Sequence, residues 1–126
     1  MSLQRVALVA PIFFLFSLAG CSPHPGSGSW LPTQPNSGDF SRLLVQFDGK
    51  AELYRDGVEG AVYRCFWAGE SKRALGMRCA DAANTDIEVR YRLEIPGDGS
   101  ARLYQAGRLI TAFGKDPQGD AAAAGK

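Results

Sequence analysis

The chain has 126 residues, 45% hydrophobic and 21% charged, with 14 Lys and Arg against 13 Asp and Glu and a formal net charge of +1. That length allows one small domain, and the near balance of charge leaves no broad basic field for nucleic acid and no acidic block for cationic partners. One His and three Cys exclude a His-rich metal site and a pair of zinc knuckles, so neither a metal nor a cofactor is expected.

Arg5 is the only charge before Asp39, and the 13 residues from Val6 to Leu18 are apolar except for Ser17. This is the charged start and short apolar run of a secretory signal over residues 1–20, too short for the ~20 apolar residues of a membrane span. Leu18-Ala19-Gly20-Cys21 then resembles the lipobox of bacterial lipoproteins in residue types, spacing and position. The resemblance implies cleavage before Cys21, a diacylglycerol on its sulfur and an acylated amino terminus. Several acyl chains at ~0.8 kcal/mol per buried CH₂ would hold the protein at a membrane. In Gram-negative lipoproteins an Asp after the acylated Cys tends to retain the protein at the inner membrane. Ser22 stands in that place, so the implied address is the outer membrane, facing the periplasm.

With Cys21 assigned to lipid, Cys65 and Cys79 remain as an even pair in a compartment that permits disulfides, and a bond between them is expected. Residues 22–38 contain four Pro, three Gly and four Ser and no Asp, Glu, Lys or Arg, the composition of a flexible tether. Such a tether, running from the lipidated Cys21, would span roughly 20–30 Å. Trp30 and Leu31 interrupt its polarity, with three readings open: docking on the domain, dipping into the membrane interface, or serving as a plain linker pair.

From residue 39 to 115 the hydrophobic period is two. Leu43, Val45 and Phe47 alternate before Asp48-Gly49, the signal of a tight hairpin whose two loop residues tolerate positive φ, and Lys50 to Leu53 follow. Ala61 to Trp67 and Leu75 to Cys79 make a third and fourth strand, and a turn near Lys72 would set Cys65 opposite Cys79. Ile87 to Ile95 alternates without a fault, and Ala101 to Tyr104 and Leu109 to Phe113 read as a last hairpin about Ala106-Gly107. The expected fold is therefore all-β, an antiparallel meander of about seven strands curled into a closed or half-open barrel. Phe47, Tyr63, Tyr91 and Phe113 are large enough to fill its interior. Residues 116–126 read as a disordered tail.

Asp48 to Gly57 and Asp98 to Gly107 match at six of ten positions. With the recurring order of turn, strand, Gly, strand, the region resembles small bacterial lipocalin-like domains, although Gly60-Ala61-Val62-Tyr63 departs from their spacing by one residue. The Trp expected near the start of their first strand is missing unless Trp30 supplies it. This resemblance implies a barrel and, as one function, carriage of a small hydrophobic ligand.

No catalytic set emerges. His24 lies between two prolines of the tether, where nothing is expected to fix its tautomer, and Asp48, Asp56, Asp81, Asp98 and Asp116 fall in turns, where Asp bonds its own backbone. Glu52, Glu88 and Glu94 alternate with basic residues on outward faces. Arg64, Lys72, Arg73, Arg78, Arg90 and Arg92 either converge on one face or are solvated beside Glu70, Asp86 and Glu88. Tyr54, Tyr104 and Phe66 occupy polar faces of their strands; gathered on one side they would mark a protein-binding surface, whereas a strongly wrapped sheet would bury them. The leading expectation is a non-enzymatic lipid-anchored envelope protein whose β domain binds another protein, as an assembly accessory or an inhibitor of a wall-active enzyme. The carrier is the alternative.

Overall fold

Alternating side chains make a sheet with one apolar face, and such a face is buried when the sheet closes on itself. In the computed structural model, which describes residues 23–34 and 39–117, that closure is complete. Eight antiparallel strands follow one another around the barrel: β1 (Gly28–Pro32), β2 (Arg42–Val45), β3 (Lys50–Tyr54), β4 (Tyr63–Ser71), β5 (Ala74–Asp81), β6 (Glu88–Glu94), β7 (Ser100–Gln105) and β8 (Arg108–Lys115). β1 closes the ring by pairing Trp30 with Lys115 and Pro32 with Phe113 on β8.

The strand count is eight because residues 28–32, tether-like in composition, form β1. One side chain explains this: Trp30 is 1% exposed in the barrel interior, and its indole Nε1 donates to the Gly26 carbonyl at 2.9 Å. Burying so large a ring offsets the entropy cost of ordering a Gly- and Ser-rich stretch. The barrel therefore begins before residue 39 and takes in residues 28–32 of the segment read as a tether. Asp116, at the start of the expected tail, donates its backbone N–H to the Ser29 carbonyl. The signal segment, Cys21, residues 35–38 and residues 118–126 lie outside the described residues.

Interior positions are filled. Leu43, Leu53, Leu75, Leu93, Leu103 and Phe113 are fully buried, and Phe40, Tyr63 and Tyr91 meet edge to face with ring centroids 5.8–6.0 Å apart. Cys65 and Cys79 are directly opposed on β4 and β5 and joined by a disulfide pointing inward. Two expected interior side chains lie elsewhere. β2 stops at Val45, so Phe47 falls in the turn and is 47% exposed; β6 starts at Glu88, which leaves Ile87 outside in the same way.

The Asp48-Gly49 hairpin has a three-residue loop. Gln46 and Lys50 close it, Gly49 N–H donates to the Gln46 carbonyl, and only Gly49 takes positive φ, so this is a type I turn with a bulge. Asp48 accepts the Lys50 N–H, and Asp98 accepts the Ser100 N–H at the same 3.1 Å, so the internal repeat reproduces its turn chemistry as well as its residues. The Ser100 hydrogen bonds hold the Asp98 carboxyl below the usual carboxylate range. At the other hairpin both Ala106 (φ 50°) and Gly107 (φ 80°) are left-handed, the mirror-image turn that a two-residue loop needs.

Pairing of Gly28 with Val45 and of Trp30 with Lys115 defines the two ends of the barrel. The lower end carries residues 23–27, the turns 46–49, 72–73 and 95–99, and the exit of β8. The upper end carries residues 33–34 and 39–41, the connections 55–62 and 82–87 and the Ala106-Gly107 turn.

Candidate binding groove

The pleat sends alternate residues of β4 to β7 outward, and cross-strand register sorts them into rows. One row runs Phe66, Arg78, Arg90; the next runs Ala68, Gly76, Arg92, Tyr104. Phe66 stands 71% exposed at one side and half-buried Tyr104 at the other. Three strand spacings, ~14 Å, separate their strands. Between them Ala68 and Gly76 carry almost no side chain, and the wall sinks into a groove of about 800 Å³.

Ion pairs hold the guanidinium groups around this depression. Arg78 Nε donates to Glu88 Oε1 at 3.2 Å, while Arg90 approaches the same oxygen at only 4.0 Å. Arg92 donates to Glu70 at 2.9 Å and to Glu94 at 3.1 Å, and the Glu70 hydrogen bond raises its pKa further above its already high value. These side chains are 40–77% exposed, so each pair contributes little to stability. Their effect is orientational: planar donors are presented beside two aromatic rings, a mixture enriched where proteins meet. Asp86 takes no part in these ion pairs, and Lys72 and Arg73 lie in the lower-end turn, away from this face.

Of the three aromatic residues singled out by sequence, the structure brings Phe66 and Tyr104 to one groove and places Tyr54 elsewhere. β3 and β7 are four strands apart in a ring of eight, so the matching tyrosines of the repeat face opposite directions. Tyr54 instead lies under the Arg42 guanidinium, 4.2 Å from ring centroid to Cζ. Gly76 is the residue that sequence reasoning missed. An isolated Gly at an outward position of a strand signals close approach of another group, and here a Cβ would meet nothing nearer than Glu70 Oε2 at 3.5 Å.

His24 is also more ordered than its prolines imply. Its Nδ1 accepts the Gly26 N–H at 3.0 Å, which leaves Nε2 to donate to the Ser71 carbonyl at 2.6 Å and fixes the tautomer. Asp48, Asp81 and Asp98 accept backbone N–H groups of their own turns. Among the described residues no group of three or more His, Cys, Asp and Glu side chains is placed to hold a metal ion. Comparison of the chain with protein families, curated proteins and solved structures found no match.

Proposed function

We propose that this chain is a lipid-anchored envelope protein, acylated at Cys21 and addressed to the periplasmic face of the outer membrane, whose barrel binds a protein partner through the groove between Phe66 and Tyr104. The observation that carries the reading is the pairing of a 71% exposed Phe with a floor at Ala68 and Gly76 that bears almost no side chain, flanked by Arg78 and Arg92, each oriented by an ion pair, and by Arg90. An exposed aromatic on a sheet wall has no role in the core, and the floor leaves room for an inserted side chain or loop. Arg90, with its loose ion pair, is the guanidinium best placed to meet a carboxylate or carbonyl of the partner. The role is a non-enzymatic one, as an assembly accessory or an inhibitor of a wall-active enzyme: the turn carboxylates serve their own backbones and the single His is engaged at both ring nitrogens. Carriage of a hydrophobic molecule would need an interior volume of ~300 Å³. Trp30, Phe113, Met77 and the ring cluster of Phe40, Tyr63 and Tyr91 occupy that space.

A photoreactive phenylalanine analogue at Phe66, with Val58 at the upper end as the control position, tests this in the native envelope. A discrete protein adduct at Phe66, lost in the Gly76→Val variant, is expected. Equal labelling at both positions, or a stoichiometric small molecule travelling with the native protein in a mass spectrum, overturns the groove reading in favour of nonspecific contact or a carrier.

A further inference from the structure

The lower end of the barrel is closed by the polypeptide that leads to Cys21. Gly26 and Ser27 are buried there, and a Cβ on Gly26 would lie 2.6 Å from Leu75 Cδ2 and 3.0 Å from Ile95 Cδ1, so the backbone itself caps the core. His24 fastens this cap to the β4–β5 turn through Ser71, and its ring meets Trp67 edge-on at 5.7 Å. Ser27 N–H returns to the His24 carbonyl at 2.9 Å, and Lys115 Nζ donates to the Ser27 carbonyl at 2.6 Å while lying 4.8 Å from the Trp30 ring centroid. Pro23, His24 and Pro25 line a crevice with Gly69 to Lys72. Residues 24–27 are thus attached to the lower end of the barrel.

We propose that the lower end rests on the phospholipid surface, so that the barrel stands end-on and close to the bilayer. This inference depends on acylation of Cys21. Only Ser22 separates Cys21 from Pro23, which limits the Cα distance between them to ~7 Å. A nine-residue strand such as β4 is ~30 Å long and, at the usual tilt, gives a barrel ~20–25 Å tall. So short a link cannot bring the upper end to the membrane. The lower end also presents suitable groups. Phe47 stands exposed at the tip of the 46–49 turn, and Lys72 and Arg73 are exposed at the tip of the next. An aromatic ring enters the interfacial region and cations meet lipid phosphates, while the acyl chains supply most of the affinity. In this orientation the Phe66 and Tyr104 wall faces sideways, toward a partner standing on the same membrane.

Tryptophan reporters test the orientation in full-length protein recovered from host membranes and placed in phosphatidylethanolamine and phosphatidylglycerol vesicles that contain acyl-chain-brominated phosphatidylcholine. Phe47→Trp reports on the lower end and Val58→Trp on the upper, both at exposed positions that leave the fold intact; Trp30 and Trp67 give the same background in each. Insertion by ~5–10 Å should quench the added indole of the Phe47→Trp variant roughly twofold and leave that of the Val58→Trp variant unchanged. If intact mass shows the diacylglyceryl adduct and the two reporters are quenched alike, or the upper one more, the end-on orientation is wrong while acylation stands. If the mass shows no adduct, acylation and the orientation built on it both fail.

Discussion

Tyr54 and Tyr104 stand on opposite walls of the barrel, four strands apart in either direction around the ring. Tyr104 borders the groove opposite Phe66, whereas Tyr54 is covered by Arg42. On the proposed function, the double variant Phe66→Ala and Tyr104→Ala should lower partner affinity by roughly 1000-fold, since two such anchors contribute about 2 kcal/mol each. Tyr54→Ala should leave affinity within about threefold. Titration of the captured partner by surface resonance checks both, and an equal loss from Tyr54→Ala would show that the binding surface lies elsewhere.

Cys65 and Cys79 close a loop of sequence separation 14 and project into the interior. Burial should make the bond resist dithiothreitol in the folded protein. Once reduced under denaturing conditions, or in the Cys65→Ala, Cys79→Ala pair, the domain should lose about 3 kcal/mol, a fall in Tm of about 10–20 °C. Calorimetry of the two forms measures this directly. An unchanged Tm would mean that the strand pairing alone fixes the hairpin.

Burial, followed by the neighbouring Tyr63, pushes the Tyr91 phenol above its ordinary value of 10.0. The folded state then keeps its proton where the unfolded chain has released it, so the associated stability is complete below pH 10 and declines as pH rises toward the folded value. Denaturant unfolding between pH 8 and pH 12 should show this alkaline loss, and Tyr91→Phe should diminish it while preserving the ring contacts with Phe40 and Tyr63. An identical alkaline limb in the variant would assign the loss to other groups.

Thr111 Oγ1 is buried on β8 without a hydrogen-bond partner among the described residues. Replacing that hydroxyl by a methyl of similar shape removes an uncompensated polar atom and suits a strand. Thr111→Val should therefore raise stability by about 1 kcal/mol, or Tm by about 4–8 °C. Thermal unfolding of the variant decides the matter, and a lower Tm would mean that the hydroxyl is satisfied in solution.

Local chemistry made most of the barrel readable in sequence. Seven strands follow from period-two alternation, the turns at Asp48-Gly49 and Ala106-Gly107 from residues that bend the chain, the turn near Lys72 from the gap between two strands, and the disulfide from two cysteines spaced across one hairpin. These are properties of a strand and its immediate neighbour, so a one-dimensional pattern carries them. Three features depended on contacts across the ring. β1 exists because Trp30 finds an interior built by other strands and a last strand, β8, to pair with. Closure at eight strands set Tyr54 and Tyr104 back to back and Phe66 and Tyr104 on one wall, since angular position around a barrel depends on how many strands complete the circle. Attachment of His24 and Gly26 to the lower end likewise requires Ser71, Leu75 and Ile95 to be already in place. Composition describes what a segment can do alone, and here the assembled barrel supplied the burial that a Pro- and Gly-rich segment could not generate for itself.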